Sequence, residues 1–182
     1  MAKACITEKT AARQRWIEKG LLELMLENRF EDIAVTDLCR NLDLPRRSFY
    51  RDFTDLEDVL DSLMNHTMQD LAIIHAAPTL PDLEAYCTFW LRQRDLLSAL
   101  SRSHMHSKLV RYTMQYAGAD TIRQNLSSED LEMELEPEIN LFIISGLSSL
   151  LLNWHQEGFR RTPEEMARIA MRLLIKPLLT NP

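Results

Sequence analysis

"VTDLCRNLDLPRRSFYRDF", residues Val35 to Phe53, decides how the rest of the chain is read. Val35, Leu38 and Leu42 recur at helical spacing, which predicts a helix over Val35 to Leu42. Asp43 breaks it. A third helix starts at Pro45, because a first helical position tolerates the missing N–H. Cys39 is small enough for two helices to cross closely. Leu38, Leu42, Leu44, Phe49 and Phe53 can fix the crossing angle. The turn between the helices needs a positive φ, and after glycine the most tolerant residues are Asp and Asn. Asp43 holds that place. Together these features predict a helix-turn-helix, whose second helix carries a polar face into the major groove of DNA. That face is expected to comprise Arg46, Arg47, Ser48, Tyr50, Arg51 and Asp52. Arginine can grip phosphate or guanine, and Ser48 and Tyr50 can donate to phosphate oxygens. The alternative is a basic helix face that is merely solvated.

Working outward, Ile17, Leu21, Leu24 and Met25 predict a first helix from Thr7 to Asn28, with Phe30 folding back on the core. "TDLE", Thr54 to Glu57, reads as a capping box that opens a long fourth helix. Leu56, Leu60, Leu63, Thr67, Leu71 and Ile74 mark its apolar face. It stops near "AAPTLPD". A helix over Asp82 to Leu100 follows, and then two more between Ser101 and Glu134, broken near "AGAD" or "SSED". The next runs from Glu136-Pro137 to Gly158, a C-terminal glycine. The last opens at "TPEE", with Thr162 as cap, Pro163 in first position and Glu165 closing the box, and runs to Lys176. No strand signal and no internal repeat is present. The expected fold is all-α, with about nine helices.

The chain of 182 residues is long enough for one sizeable core, or for a small module joined to a larger one. Its net charge is −6, but the charge is uneven. Residues 1–53 carry ten Lys/Arg and nine Asp/Glu, and the remainder carries eleven and eighteen. The acidity therefore belongs to the larger part and leaves the first part free to meet an anion. Cys5, Cys39 and Cys87 are odd in number and widely spaced, which fits neither a disulfide framework nor a metal motif. "MAKACITEKT" lacks the apolar core of a signal peptide. The most apolar run, Leu141 to Trp154, is 14 residues long, short of the roughly 20 that span a bilayer. A cytoplasmic protein with no membrane partner is expected.

Residues 10 to 60 resemble the DNA-binding domain of the TetR family of bacterial transcription regulators. "FEDIAVTDLC" and "RRSFYRDF" carry the likeness. The end of the chain, "FIISGLSSLLLNWHQEGFRRTPEEMARIAMRLL", is similar to the branch that includes the dihydroxyacetone-kinase operon regulators. The resemblance implies a DNA-reading head over 1–54 and a helical body for effector binding and dimerisation over 55–182. It also implies an Ω-shaped homodimer on a palindromic operator, a small-molecule effector, and regulation by repression. DNA contacts are then expected from Thr36, Pro45, Arg46, Arg47, Ser48, Tyr50 and Arg51. Three positions depart from the family pattern. Ala34 stands where a threonine often caps the second helix. Asp43 stands where the turn glycine usually is. Leu56 stands where a lysine often reaches phosphate. These departures support an alternative: a co-regulator that acts mainly through a protein partner and binds DNA weakly.

Gly146 within an apolar helix suggests close backbone approach. With Ile143, Leu147, Leu150, Trp154, Met171 and Leu174 it marks an expected dimer interface. Met64, Met68, Trp90, Met105, Met114 and Phe142 are of the types that line adaptable pockets, and equally of the types that fill cores. His104 and His106 do not share a helical face and are not expected to bind metal. No nucleophile, phosphate-loop or metalloprotease motif occurs, so neither catalysis nor a cofactor is expected.

Overall fold

The computed structural model describes residues 8–72, 80–116 and 136–175. Nine α-helices and no strand occur among them. They are α1 (Glu8–Glu27), α2 (Val35–Asn41), α3 (Arg46–Asp52), α4 (Leu56–Ala72), α5 (Leu80–Arg92), α6 (Arg94–Arg102), α7 (His106–Tyr116), α8 (Glu136–Gln156) and α9 (Pro163–Ala170). A 3₁₀ turn, Phe30–Asp32, links α1 to α2, and a π turn, Met171–Ile175, follows α9. No helix among the described residues is long and apolar enough to cross a membrane. The chain divides into two compact units. One is Met1–Thr67 with Ser98–His106; the other is Met68–Leu97 with Ser107–Pro182.

The first unit is built around α1. Its stripe of Ile17, Leu21 and Met25 is fully buried, as are Leu38 of α2, Phe49 of α3, and Val59, Leu60 and Met64 of α4. Gly20 lets α2 come close. A Cβ there would lie 2.6 Å from Cδ2 of Leu42, well inside contact distance. Phe30 is half-buried, and its N–H donates to Ser103 Oγ at 2.9 Å, which ties the 3₁₀ turn to the Ser98–His106 segment. A buried carboxylate joins α1 to α4. Glu18, 1% exposed, accepts the Ser62 hydroxyl at 2.7 Å and faces His66 Nδ1 at 2.8 Å.

Several helix ends differ from the sequence reading. At the helix start where a box was expected at Thr54 and Glu57, Asp55 and Asp58 take part. The N–H of Asp58 donates to Asp55 Oδ1 at 2.8 Å, and Asp58 in turn accepts from the Thr54 N–H at 3.0 Å. Two aspartates, shorter than glutamate, hold this helix start. Pro45 sits just before the first helical residue of α3, with φ −58° and ψ 133°. The helix expected over Asp82 to Leu100 is two helices. At Gln93 the N–H is shared between the carbonyls of Phe89 and Trp90, both at 3.1 Å, and the chain turns there into α6. The final helix was expected to run to Lys176, but α-helical bonding ends at Ala170 and the π turn takes over. Neither glycine nor proline marks that change. The breaks expected at "AGAD" and "SSED", and Ile74, lie outside the described residues.

In the second unit α5 packs along α9. Leu83, Ile143, Ala167 and Ala170 form its buried centre, with Ile139, Leu147, Leu150 and Met171 against them. The Thr162 box forms as read. The Glu165 N–H donates to Thr162 Oγ1 at 3.2 Å, and the Thr162 N–H donates to Glu165 Oε2 at 2.8 Å. Trp154 is buried, its indole N–H donating to the Arg161 carbonyl at 3.0 Å and its ring edge-on to Phe159.

Candidate nucleic-acid interface

The turn between α2 and α3 is closed by the bonds that end a helix at a left-handed residue. The Leu44 N–H reaches the Cys39 carbonyl at 2.8 Å and the Asp43 N–H reaches the Arg40 carbonyl at 3.2 Å. Asp43 has φ +47°, in the left-handed region. Cys39 is buried beneath this turn, and burial raises its thiol pKa, with Arg46 acting in the opposite sense.

From that turn α3 projects with two distinct faces. Phe49 and Phe53 go inward, with rings 6.1 Å apart. Arg46, Arg47, Tyr50 and Arg51 are exposed, and Ser48 is half-buried. Pro45 and Thr36 are exposed beside them. Arg46 Nη2 donates to the Tyr50 hydroxyl at 3.3 Å, and its guanidinium lies 5.8 Å from the Tyr50 ring centroid. That hydroxyl raises the already high Arg46 pKa. The result is a short helix with three arginines and a tyrosine facing solvent, without a carboxylate on that face.

Asp52 was expected on the polar outer face; instead it is buried at 4% exposure. Its two oxygens accept Arg13 Nε and Nη2 at 2.5 and 2.6 Å. This fork clamps the end of α3 to α1, and it raises the Arg13 pKa. Arg13→Ala leaves a buried carboxylate without its cation. The expected cost is about 2 kcal/mol in a urea melt, below the usual range for a buried pair because one flank of Arg13 meets solvent. A loss within 0.5 kcal/mol, the size of an ordinary surface change, would show the clamp to be dispensable.

The three departures have physical content. Ala34 has no side-chain oxygen, so only the return half of a cap exists: the Ala34 N–H donates to Asp37 Oδ2 at 3.0 Å. Leu56 is a core residue, 8% exposed. Asp43 is exposed, an acidic group beside the arginine face. Asp43→Gly relieves the left-handed strain and removes that charge. We expect a stability gain of about 0.5–1 kcal/mol and tighter DNA binding at low salt, read by thermal melts and anisotropy. A glycine variant that binds DNA no better than the parent would make the charge irrelevant.

Residues expected to line a pocket do not fall in one unit. Met64 and half-buried Met105 belong to the first, while Met68, Trp90 and half-buried Met114 belong to the second. Phe142 is 56% exposed and faces out of the chain. Of the expected interface residues, Ile143 and Trp154 are buried inside the chain, because α8 turns that apolar stripe to its own core. Gly146, Leu147, Leu150 and Met171 are half-buried, and the side chain of Leu174 lies outside the described ones. Leu141, Phe142 and Leu173 are the large apolar side chains exposed near this end. The sequence could not single them out, since α8 is apolar on more than one face.

An all-helical chain whose first unit presents a short cationic helix behind a left-handed turn is a helix-turn-helix protein. Residues 80–176 match a family described as a transcriptional regulator C-terminal region, of the TetR type. That match covers more than half of the chain, and the chain belongs to the TetR family of transcriptional regulators. Two solved structures share its fold. One is the dihydroxyacetone kinase operon activator DhaS, with 14% identity, 90% of this chain and 94% of that chain covered, and a TM-score of 0.67. The other is the fatty acid degradation regulator FadR from Bacillus halodurans, with 15% identity, 92% and 97% covered, and a TM-score of 0.68. Comparison with curated protein sequences returns no match.

Proposed function

We propose that the protein is a ligand-responsive repressor that binds a palindromic operator as a homodimer. In this reading residues 1–54 read DNA, and residues 55–182 bind the effector and dimerise. The observation that carries it is the face of α3, where Arg46, Arg47, Tyr50 and Arg51 are all exposed while Phe49 and Phe53 anchor the helix from behind. Exposed Leu141 and Phe142 on α8, and Leu173 after α9, support pairing through the last two helices. Large apolar side chains grouped on a surface mark a place where a partner can meet them. An effector acts by preferring one of two dimer states, and so shifts the population that fits successive major grooves.

Fluorescence anisotropy against the chain's own upstream DNA tests the reading. Binding to that fragment should exceed binding to scrambled DNA at least tenfold at low salt. Equal binding to both sinks the operator reading. The sign of regulation is tested by transcription with and without the protein; the structural neighbour DhaS is an activator, so higher output on adding the protein would replace repression by activation.

A second reading is favoured by Ala34 and buried Leu56, whose side chains have no group to donate to phosphate, and by exposed Asp43, whose charge repels it. Here the protein acts mainly through a partner protein. Co-purification of a stoichiometric partner, with regulation unaffected by Arg46→Ala and Arg47→Ala, would support this reading over the first.

A further inference from the structure

Arg13 and Asp52 meet as a planar fork, with Nε and Nη2 of the guanidinium donating to the two carboxylate oxygens at 2.5 and 2.6 Å. Two things count against a carboxylate at this place. Asp52 is withdrawn from water, at 4% exposure. It is also the last residue of α3, where the helix dipole favours a cation. Nor is a buried ion pair a strong source of stability, because desolvation offsets most of the attraction. A two-bonded fork does supply something that apolar contact does not, which is a fixed orientation.

The helix α3 needs an orientation from outside itself. Its seven residues make about two turns, too few to persist alone. At its start the chain enters through left-handed Asp43 and through Pro45. Along its length Phe49 and Phe53 hold it to the core. Apolar burial is non-directional, so these rings resist removal of the helix more than they resist its rolling. The fork pins the far end. It does so to α1, which is itself fixed against α2 by the close approach of Leu42 to Gly20 and against α4 by the Glu18–Ser62 bond.

Roll decides what Arg46 and Arg47 can do. A guanidinium on a long stem finds a phosphate over a wide range of helix angles. A base edge has to be met in its own plane by two parallel bonds. Binding to DNA in general therefore tolerates a rolled α3, and the reading of sequence does not.

We propose that Arg13 and Asp52 are positioning residues for base reading: their fork sets the roll of α3, and with it the sequence discrimination of the head, without touching DNA. This rests on the reading of α3 as the helix that meets DNA.

The test separates orientation from stability. Arg13→Met combined with Asp52→Leu replaces the pair by apolar groups, a change that leaves no buried charge unpaired. Arg13→Lys keeps the cation and loses the fork. The full-length parent and both variants are titrated by anisotropy against the upstream fragment and its scrambled form, across a salt series, with urea midpoints measured alongside. The parent should prefer the upstream fragment. The double variant should melt near the parent, and both variants should lose about tenfold of that preference. Affinity for scrambled DNA and the salt slope should stay at the parent's values, because no phosphate contact has been removed. Arg13→Lys carries the test alone where the double variant fails to fold. The proposal is overturned if either folded variant discriminates as the parent does, since the fork is then a structural pair only. It is overturned equally if preference and salt slope fall together, since α3 has then been lost rather than turned. A parent that prefers neither fragment removes the DNA-reading proposal, and this inference with it. A parent and variants that all discriminate alike remove this inference alone.

Discussion

Replacing Arg46 and Arg47 together by alanine is expected to weaken operator binding about a hundredfold near physiological salt. Both side chains are exposed, so thermal stability should hardly move. The salt dependence separates their roles. Each phosphate contact contributes about −0.9 to the slope of log affinity against log salt. If both arginines meet phosphate, the slope flattens by about 1.8 for each head. If Arg46 reads a base, the flattening is about 0.9 and sequence preference relaxes at one position per half-site. The Tyr50 hydroxyl beside Arg46 fixes its guanidinium in place, which suits a base contact, whereas Arg47 is the better candidate for phosphate. A double variant with the parent's affinity and slope would remove α3 as the reading helix and leave the partner-protein reading in its place.

Phe49→Ala is expected to cost about 3–5 kcal/mol, the range for a fully buried phenylalanine. Phe49 is completely inaccessible and touches Phe53 on one side and Tyr50 edge-on at 5.2 Å on the other. Truncation leaves a cavity directly behind the arginine face, and α3 has only seven residues with which to hold itself in place. Seven residues are too few for a helix to persist without tertiary support. DNA binding should therefore be lost along with stability. Tyr50→Ala is the control: Tyr50 is 47% exposed, so its removal should cost about 1 kcal/mol or less. Equal urea midpoints for the two variants would show that the aromatic pair does not divide into a core member and a surface member.

The helix-turn-helix was legible because its requirements are local. A left-handed turn residue, a small residue under the crossing and apolar residues at fixed offsets all lie within Val35 to Phe53. The same logic worked at Thr162 and Gly158, the latter with φ +69°. It failed at His104, which has φ +54° and ends α6 by the same pair of bonds that ends α2. A histidine is a weaker signal of a left-handed turn than glycine, so nothing in the pattern singled it out as a helix end. Contacts between distant segments were not legible. Arg13 and Asp52 are 39 residues apart, and Glu18 and His66 are 48 apart. No spacing rule connects them, and Asp52 on a short basic helix reads as solvated until α1 is placed beside it. For α8 the difficulty was the reverse: with apolar residues on several faces, periodicity could not say which face, Ile143 or Phe142, turns inward.

The described cysteines fall one to each unit, Cys39 in the first and Cys87 in the second, and both are buried and reduced. Burial pushes the Cys87 thiol up to about 12 and that of Cys39 upward as well. A thiol is attacked by electrophiles only as its thiolate and only when reached. Each sulfur is therefore silent while its own unit is closed and becomes reactive when that unit opens. Pulse alkylation followed by peptide mass spectrometry can thus time the opening of the two units separately, in one unmodified chain, with no dye or engineered label.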